Sequence, residues 1–333
     1  MTSKAIAIIL LLGFILASFS CQQEKGGSED LKKKDEISQF LGQWTLDIDG
    51  GGVGWIEVIQ EDKYLDGSIL WRGGSVTPVS YMYLADNVLY AGRDTRKVVR
   101  KTNAEGNEIR SQMVSTWIEA EKVGEKMTGH YLQPNSNGIG LASSSFTGTK
   151  LPDVGPEPDL SALKFGTPIK LLNGKDLKGW ELVEADRKNG WSVVEGVLIN
   201  NPVQTEGEED IRYGNLRTEM EFEDFNIKLE VYTPVNCNSG VYLRGRHEIQ
   251  VDDSYGEIPN SWGMGALYSR ITPSVSAEKP AGSWQTMDIT LCDRHVTVIL
   301  NGIKIIDNQP VYGPTGGALT SDVFAPGPIY LQG

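Results

Sequence analysis

Gly240-Val241-Tyr242-Leu243-Arg244-Gly245-Arg246-His247-Glu248-Ile249-Gln250-Val251-Asp252-Asp253 reads as β-structure, and its alternation decides the fold. The odd positions Val241, Leu243, Gly245, His247, Ile249 and Val251 are mostly apolar. The even positions Tyr242, Arg244, Arg246, Glu248, Gln250 and Asp252 are polar or amphipathic. Alternate side chains of a strand share a face, so one face packs inward and the other shows a polar row. A turn near Gly245 would place the two halves on neighbouring strands, so the assignment is firmest within Glu248–Asp252. His247, at an odd position, is expected behind the strand.

The same character runs outward in both directions. Trp191–Ile199, Asn226–Tyr232, Thr286–Cys292 and His295–Leu300 are short strand-like segments, and Asn301-Gly302 between two apolar runs is a strong hairpin signal. Upstream, Trp44–Ile48, Gly54–Gln60, Ser68–Arg72, Val88–Gly92, Gln112–Glu119 and Lys126–Gln133 have the spacing of an antiparallel meander, sandwich or barrel. Gly42-Gln43-Trp44 and Phe146-Thr147-Gly148-Thr149 loosely resemble the ends of a lipocalin-like barrel. Trp44, Trp55, Trp71 and Trp117 fall within these strands and read as core. Leu151–Pro158 carries Pro152, Pro156 and Pro158, which cannot donate ladder hydrogen bonds, and so reads as an extended linker. No long amphipathic helix interrupts the pattern. The expected class is all-β, with a smaller lipocalin-like barrel or sandwich before a second sandwich.

The 333-residue chain has a formal net charge of -13 and 39% hydrophobic residues. That is enough apolar material for packed cores, and the acidity with no basic stripe excludes a nucleic-acid partner. Lys4, the apolar run Ala5–Leu16 and the small residues before Cys21 read as an export signal, too short to span a membrane. Leu16-Ala17-Ser18-Phe19-Ser20-Cys21 resembles a bacterial lipobox, with Ser18 where leucine is usual. The resemblance implies lipidation at Cys21 and, with Gln22 following, an outer-membrane anchor in the cell envelope. The expected division is therefore a signal peptide at 1–21, a tether at 22–38, a barrel-like domain at 39–150, a linker at 151–162 and the second sandwich at 163–333. Because the chain stops inside the strand-like Pro328–Gly333, that sandwich is expected to lack its last strand. Export would permit a Cys237–Cys292 disulfide, although burial as two free thiols is the simpler expectation.

A series of blocks gives the second half a more specific reading. Leu172-Asn173-Gly174-Lys175-Asp176-Leu177-Lys178-Gly179-Trp180, Trp191–Leu198, Asn238–Arg244, Glu248–Asp252, Gly265–Tyr268, Lys279–Trp284 and Asn301-Gly302 together resemble the 3-keto-disaccharide hydrolase family over about Leu163 to Gly333. Gln285 departs from the family, where asparagine is common. The resemblance implies a concanavalin A-like jelly roll with a concave polar face, acting on sugars oxidised to a ketone at C3. Such a ketone acidifies the C2 hydrogen, so that a base can start expulsion of the C1 substituent. That chemistry needs a base, a stabiliser for the enolate oxygen and an acid for the leaving group.

Glu248 is the candidate base, or a metal ligand if a divalent cation takes part. Arg244 is the candidate oxyanion stabiliser, and Asp252 the alternative acid or base. Gln250 and Asn238 would bind the sugar from the strands, and Tyr268, Trp262 and Lys279 from loops, with Trp262 suited to stacking on a sugar or to anchoring its loop. No cofactor is required outright. Two rival readings use the same residues: a non-catalytic sugar-binding lipoprotein, and an ordinary glycoside hydrolase pairing Glu248 with Asp252. Four residues of straight strand separate that pair by roughly 13–14 Å, whereas a retaining pair needs about 5–5.5 Å.

Overall fold

A computed structural model describes residues 36–205 and 209–333. Cys21, the lipobox-like stretch, the expected signal peptide and almost all of the expected tether lie outside the described residues. Of the compact unit Met1–Gln39 only 36–39 are described, a helical turn in which Gln39 Nε2 donates to the Glu36 carbonyl at 2.9 Å. Among the described residues no helix is long and apolar enough to cross a membrane.

Phe40–Gly333 is a second compact unit, and it is nearly all β. Its first nine strands are β1 (Gly42–Ile48), β2 (Val53–Gln60), β3 (Leu65–Trp71), β4 (Thr77–Pro78), β5 (Tyr81–Ala85), β6 (Val88–Thr102), β7 (Glu108–Val123), β8 (Lys126–Pro134) and β9 (Leu141–Lys150). They form one antiparallel sheet in the order β4-β3-β2-β1-β9-β8-β7-β6-β5. The sheet curls until its ends meet. Arg93 Nη1 on β6 donates to the Ile69 carbonyl on β3 at 3.2 Å, and the Val79 N–H donates to the Gly67 carbonyl at 3.0 Å. Inward positions of successive strands fill the resulting lipocalin-like barrel: Leu46, Ile56, Ile69, Leu89, Ile118 and Met127 are buried. Trp44 and Trp55 are buried as expected, while Trp71 is half-buried and stacks on Tyr131 with centroids 4.3 Å apart.

The remaining strands are β10 (Trp180–Leu182), β11 (Trp191–Val194), β12 (Val197–Asn200), β13 (Leu216–Thr218), β14 (Phe225–Thr233), β15 (Asn238–Leu243), β16 (His247–Asp252), β17 (Ser283–Cys292), β18 (His295–Leu300), β19 (Ile303–Pro310) and β20 (Tyr330–Leu331). Two sheets, β10-β13-β20-β15-β16 and β14-β17-β18-β19, make the sandwich. Its core interleaves Val241, Leu243, Ile249 and Val251 from the first sheet with Met287, Ile289, Leu291, Val296, Val298 and Leu300 from the second. Burying a side chain of this size contributes about 1.5–3 kcal/mol, so the apolar faces of β15–β18 hold the two layers together. The Asn301-Gly302 signal is a two-residue turn between β18 and β19, with φ of 51° and 81°. Positive φ at both central positions matches the right-handed twist of the strands they join. Tyr330–Leu331 lies inside its sheet, between β13 and β15.

Gln285, the departure noted in the sequence, is only 1% exposed and clamps the loop before β17. Its side chain accepts from the Lys279 N–H (2.9 Å) and Asn301 Nδ2 (2.6 Å) and donates to the Lys279 carbonyl (2.8 Å) and Thr233 Oγ1 (3.3 Å). Gln285→Ala leaves these partners unpaired in the interior. It is expected to cost about 2–4 kcal/mol, read as a lower urea midpoint at unchanged m. Cys237 and Cys292 are free thiols, and burial raises the pKa of both above the usual thiol value. A thiol held neutral in this way is a poor nucleophile.

Candidate active site

Gly240–Asp252 is a hairpin. β15 and β16 pair antiparallel with Tyr242 opposite Glu248, Gly240 opposite Gln250 and Asn238 opposite Asp252. Even positions face even positions, so the polar row survives the turn and becomes a two-strand polar face. Register carries it further across the sheet, through Glu181 on β10, Arg217 on β13, Tyr330 on β20, Tyr242 on β15 and Glu248 on β16. Residues directly opposite on neighbouring strands share a face. Gly265–Tyr268 then runs beside β16, where an Ile249–Leu267 bridge and a 2.9 Å bond from the Tyr268 N–H to the Glu248 carbonyl put Tyr268 next to Glu248.

Glu248 is 3% exposed, and burial pushes its pKa up to about 7. A hydrogen bond from the Tyr242 hydroxyl works against that rise. Tyr242 Oη lies 2.8 Å from Glu248 Oε2 and 2.7 Å from the Gly316 carbonyl. A phenol has one proton for these two acceptors, so both contacts are hydrogen bonds only when Glu248 is protonated and donates to Oη. The Tyr242 phenol is itself pushed far up, first by burial and then by the charge of Glu248. The Glu248 backbone is fixed separately, its N–H donating to Thr315 Oγ1 at 3.0 Å. The second carboxyl oxygen, Oε1, has no hydrogen-bond partner among the described residues and lies over Gly240. A Cβ at residue 240 would stand 2.2 Å from it.

Along β16, Gln250 Nε2 donates to Asn238 Oδ1 at 3.2 Å, while Gln250 Oε1 is buried without a partner among the described residues. An unpaired buried acceptor costs about 1–3 kcal/mol and suits a ligand hydroxyl. Asp252 is half-buried, and burial, then Glu257 and Asp253, raises its pKa. Trp262 is exposed at the rim, its Nε1 donating to Ser75 Oγ of the barrel at 3.0 Å. Ser75 Oγ in turn lies 3.3 Å from Tyr268 Oη.

Glu248, Gln250, Asp252, Asn238, Tyr268 and Trp262 are thus brought to one face and its rim. Arg244 and Lys279 are not. Arg244 sits in the three-residue turn between β15 and β16, where alternation ends, and its Nε and Nη2 donate to the Phe324 and Ala325 carbonyls at 2.6–3.2 Å. The oxyanion role expected for it corrects to a tie for the 324–325 loop. Lys279 Nζ donates to the Trp284 carbonyl, at the end of the other sheet. His247 is 2% exposed opposite Leu243, and burial followed by Arg246 holds its pKa well below the usual imidazole value. Tyr242 and Tyr330, stacked with centroids 4.2 Å apart, were not singled out in the sequence. The even-position pattern contained Tyr242, but nothing in it distinguished a phenol that holds a carboxyl from one that merely fills space.

The donor set offers a divalent cation little. Among the described residues no three His, Cys, Asp or Glu side chains gather for a metal, and one oxygen of Glu248 is held by Tyr242. These residues do not fit such an ion.

The sequence model of the 3-keto-alpha-glucoside-1,2-lyase-like domain matches residues 167–333, half of the chain. Three crystal structures from Parabacteroides distasonis ATCC 8503, each provisionally assigned as a glycosyl hydrolase, are similar to it. One is 30% identical, over 49% of this chain and 75% of its own, with a TM-score of 0.40. A second is 22% identical over 49% and 85%, with a TM-score of 0.39. The third is 26% identical over 49% and 89%, with a TM-score of 0.36. No curated protein matches the chain. By the span of the family match, which takes in the whole Glu248 face, the chain belongs to the 3-keto-alpha-glucoside-1,2-lyase-like domain family.

Proposed function

We propose that this glycoside-cleaving protein acts on glycosides carrying a ketone at C3 and breaks the C1–O bond by elimination, with Glu248 as the base. The observation that carries the reading is the Glu248 carboxyl, desolvated to a pKa of about 7, with Oε2 held by Tyr242 and Oε1 open beside Gly240. A base with that pKa is ionised in part at neutral pH yet strong enough to take a carbon-bound proton that a neighbouring ketone has acidified.

In the proposed sequence Oε1 removes the C2 proton, and the C2–H electron pair becomes the C2–C3 double bond of an enolate with its charge on the C3 oxygen. Tyr268, beside Glu248 on the same face, donates to that oxygen. The enolate then re-forms the ketone, its electron pair makes a C1–C2 double bond, and the C1 substituent leaves with the pair from the C1–O bond. Glu248, now a neutral acid in a site that favours the neutral form, returns its proton to the leaving oxygen. Water added across the new double bond makes the net result hydrolysis. Gln250, and beyond it the opposed pair Asn238 and Asp252, lie farther along the face, a spacing that suits the hydroxyls of the second sugar, and Trp262 offers an exposed indole at the rim. Anchored through Cys21 at the outer membrane, the protein would meet oxidised sugars within the cell envelope.

The test incubates the full chain with a 3-keto-disaccharide and with its unoxidised parent in deuterated water. The expected result is cleavage of the keto sugar alone, with the C2 hydrogen lost to solvent. Cleavage of the parent at a similar rate would leave an ordinary glycoside hydrolase. Binding of the keto sugar without turnover would leave a sugar-binding protein.

A further inference from the structure

We propose that Ser75, in the barrel loop between β3 and β4, is a positioning residue for the sugar site: it accepts the indole N–H of Trp262 and gives its own proton to the Tyr268 hydroxyl. The proposal rests on the function argued above and assigns the barrel a part in it.

The loop is built for close approach. Arg72, Gly73 and Gly74 reverse the chain after Trp71, with φ of 62° at Arg72 and 80° at Gly74. It is then fixed on both flanks against the sandwich. The Val76 N–H donates to Ser269 Oγ at 2.9 Å, and the Gly317 N–H donates to the Arg72 carbonyl at 3.2 Å. Gly316 passes so near that a Cβ there would stand 2.1 Å from the Gly74 carbonyl oxygen. The barrel loop therefore touches both arms that serve Glu248. One arm runs through Gly316, whose carbonyl accepts from Tyr242, and the other through Ser75 to Tyr268.

Proton direction along the second arm follows from the donor inventory. An indole N–H can only donate, so the 3.0 Å contact makes Ser75 Oγ the acceptor from Trp262. The serine proton is then free for Tyr268 Oη, 3.3 Å away. Tyr268 accepts on that side, so its own proton is not given to Ser75 and is left for the sugar. A hydroxyl pre-set as a donor stabilises a developing enolate better than one that must turn first. Ser75, the middle member of the relay, lies outside residues 167–333, so the family match alone cannot supply it.

The experiment compares wild type, Ser75→Ala and Ser75→Thr, each with Tyr268 intact and as Tyr268→Phe, in turnover of the 3-keto-disaccharide. Ser75→Ala is expected to lower kcat about tenfold with KM nearly unchanged, since donation strengthens only as charge develops. Ser75→Thr, which keeps the hydroxyl, recovers most of that loss. On the Tyr268→Phe background Ser75→Ala costs less than twofold, because the proton it directs is gone. An unchanged kcat in Ser75→Ala, or the full tenfold loss on both backgrounds, overturns the proposal. Should wild type fail to turn the sugar over, the function reading fails, and the relay is decided in the free protein. In ¹⁵N-tryptophan-labelled protein, the indole resonance that Trp262→Phe removes must shift in Ser75→Ala and move back in Ser75→Thr. An unmoved resonance overturns the relay on its own.

Discussion

Glu248→Gln is expected to lower kcat on a 3-keto-disaccharide by about 10²–10⁴-fold, with KM changed by no more than a few-fold. Glutamine keeps the shape of the side chain and can donate to Tyr242 Oη as the neutral acid does, but it cannot take a carbon-bound proton. Loss of the C2 hydrogen into deuterated water should fall with kcat, since one step governs both. The pH dependence follows from the same carboxyl. As a base it must be ionised, so wild-type kcat/KM rises with pH through about 7, the value to which burial lifts it in the free protein. A variant without that rise but with full activity would remove Glu248 from the mechanism.

Stability should move the other way. The folded-state pKa lies above the ordinary value of 4.5, so the folded protein holds this proton more tightly than the unfolded chain does. That contribution is fully present below 4.5 and lost as pH rises through about 7. At about 1.36 kcal/mol per unit, a rise from 4.5 to about 7 corresponds to about 3 kcal/mol. Glutamine does not titrate, so above pH 7 the inactive variant should unfold at a higher urea concentration than wild type, and below pH 4.5 the two should converge. Activity lost while stability is gained separates a base maintained at an energetic cost from a carboxyl that braces the sheet.

Alternation and turn chemistry are local, and they carried the fold. Even spacing along Glu248–Asp252 sets which side chains share the polar face, and Asn301-Gly302 sets a hairpin, both without help from tertiary contacts. Register is not local. Tyr330 reaches Tyr242 only because β20 inserts between β13 and β15, some 88 positions downstream of Tyr242. The strand periodicity also has no means of marking where it stops. Arg244 has the same parity as Glu248 but sits in the turn, where parity no longer sets direction, and its guanidinium is spent on backbone carbonyls. Ser75 was illegible for a related reason. A serine after two glycines reads as a surface turn, and its role exists only where the barrel loop meets Trp262 and Tyr268.

Gly240→Ala is expected to cost about 10²-fold in kcat while leaving the protein folded. Gly240 is an ordinary strand position opposite Gln250, with no positive φ, so alanine meets no backbone strain there. The added methyl meets Glu248 instead, at 2.2 Å from Oε1, 2.7 Å from Cγ and 2.8 Å from Cδ. All three atoms belong to one side chain that can swing aside, which moves the carboxyl off Tyr242 and out of line with C2. A misplacement of about 1 Å in a reacting group can cost 10²-fold, because the effective concentration of an aligned base depends steeply on its geometry. Circular dichroism should therefore change little while kcat collapses, and below pH 4.5, where the carboxyl is neutral either way, the urea midpoint should stay near that of wild type. The pH profile distinguishes displacement from general damage: a carboxyl freed from its desolvated position titrates closer to 4.5, so residual activity should rise at lower pH than in wild type. Glu248→Gln/Gly240→Ala adds the decisive comparison. Once the base is gone the methyl has nothing catalytic left to displace, so the double variant should be no slower than Glu248→Gln alone. A further 10²-fold loss in the double variant would mean that Gly240 acts on the sugar directly, by leaving room for a ring over bare backbone, and not through Glu248.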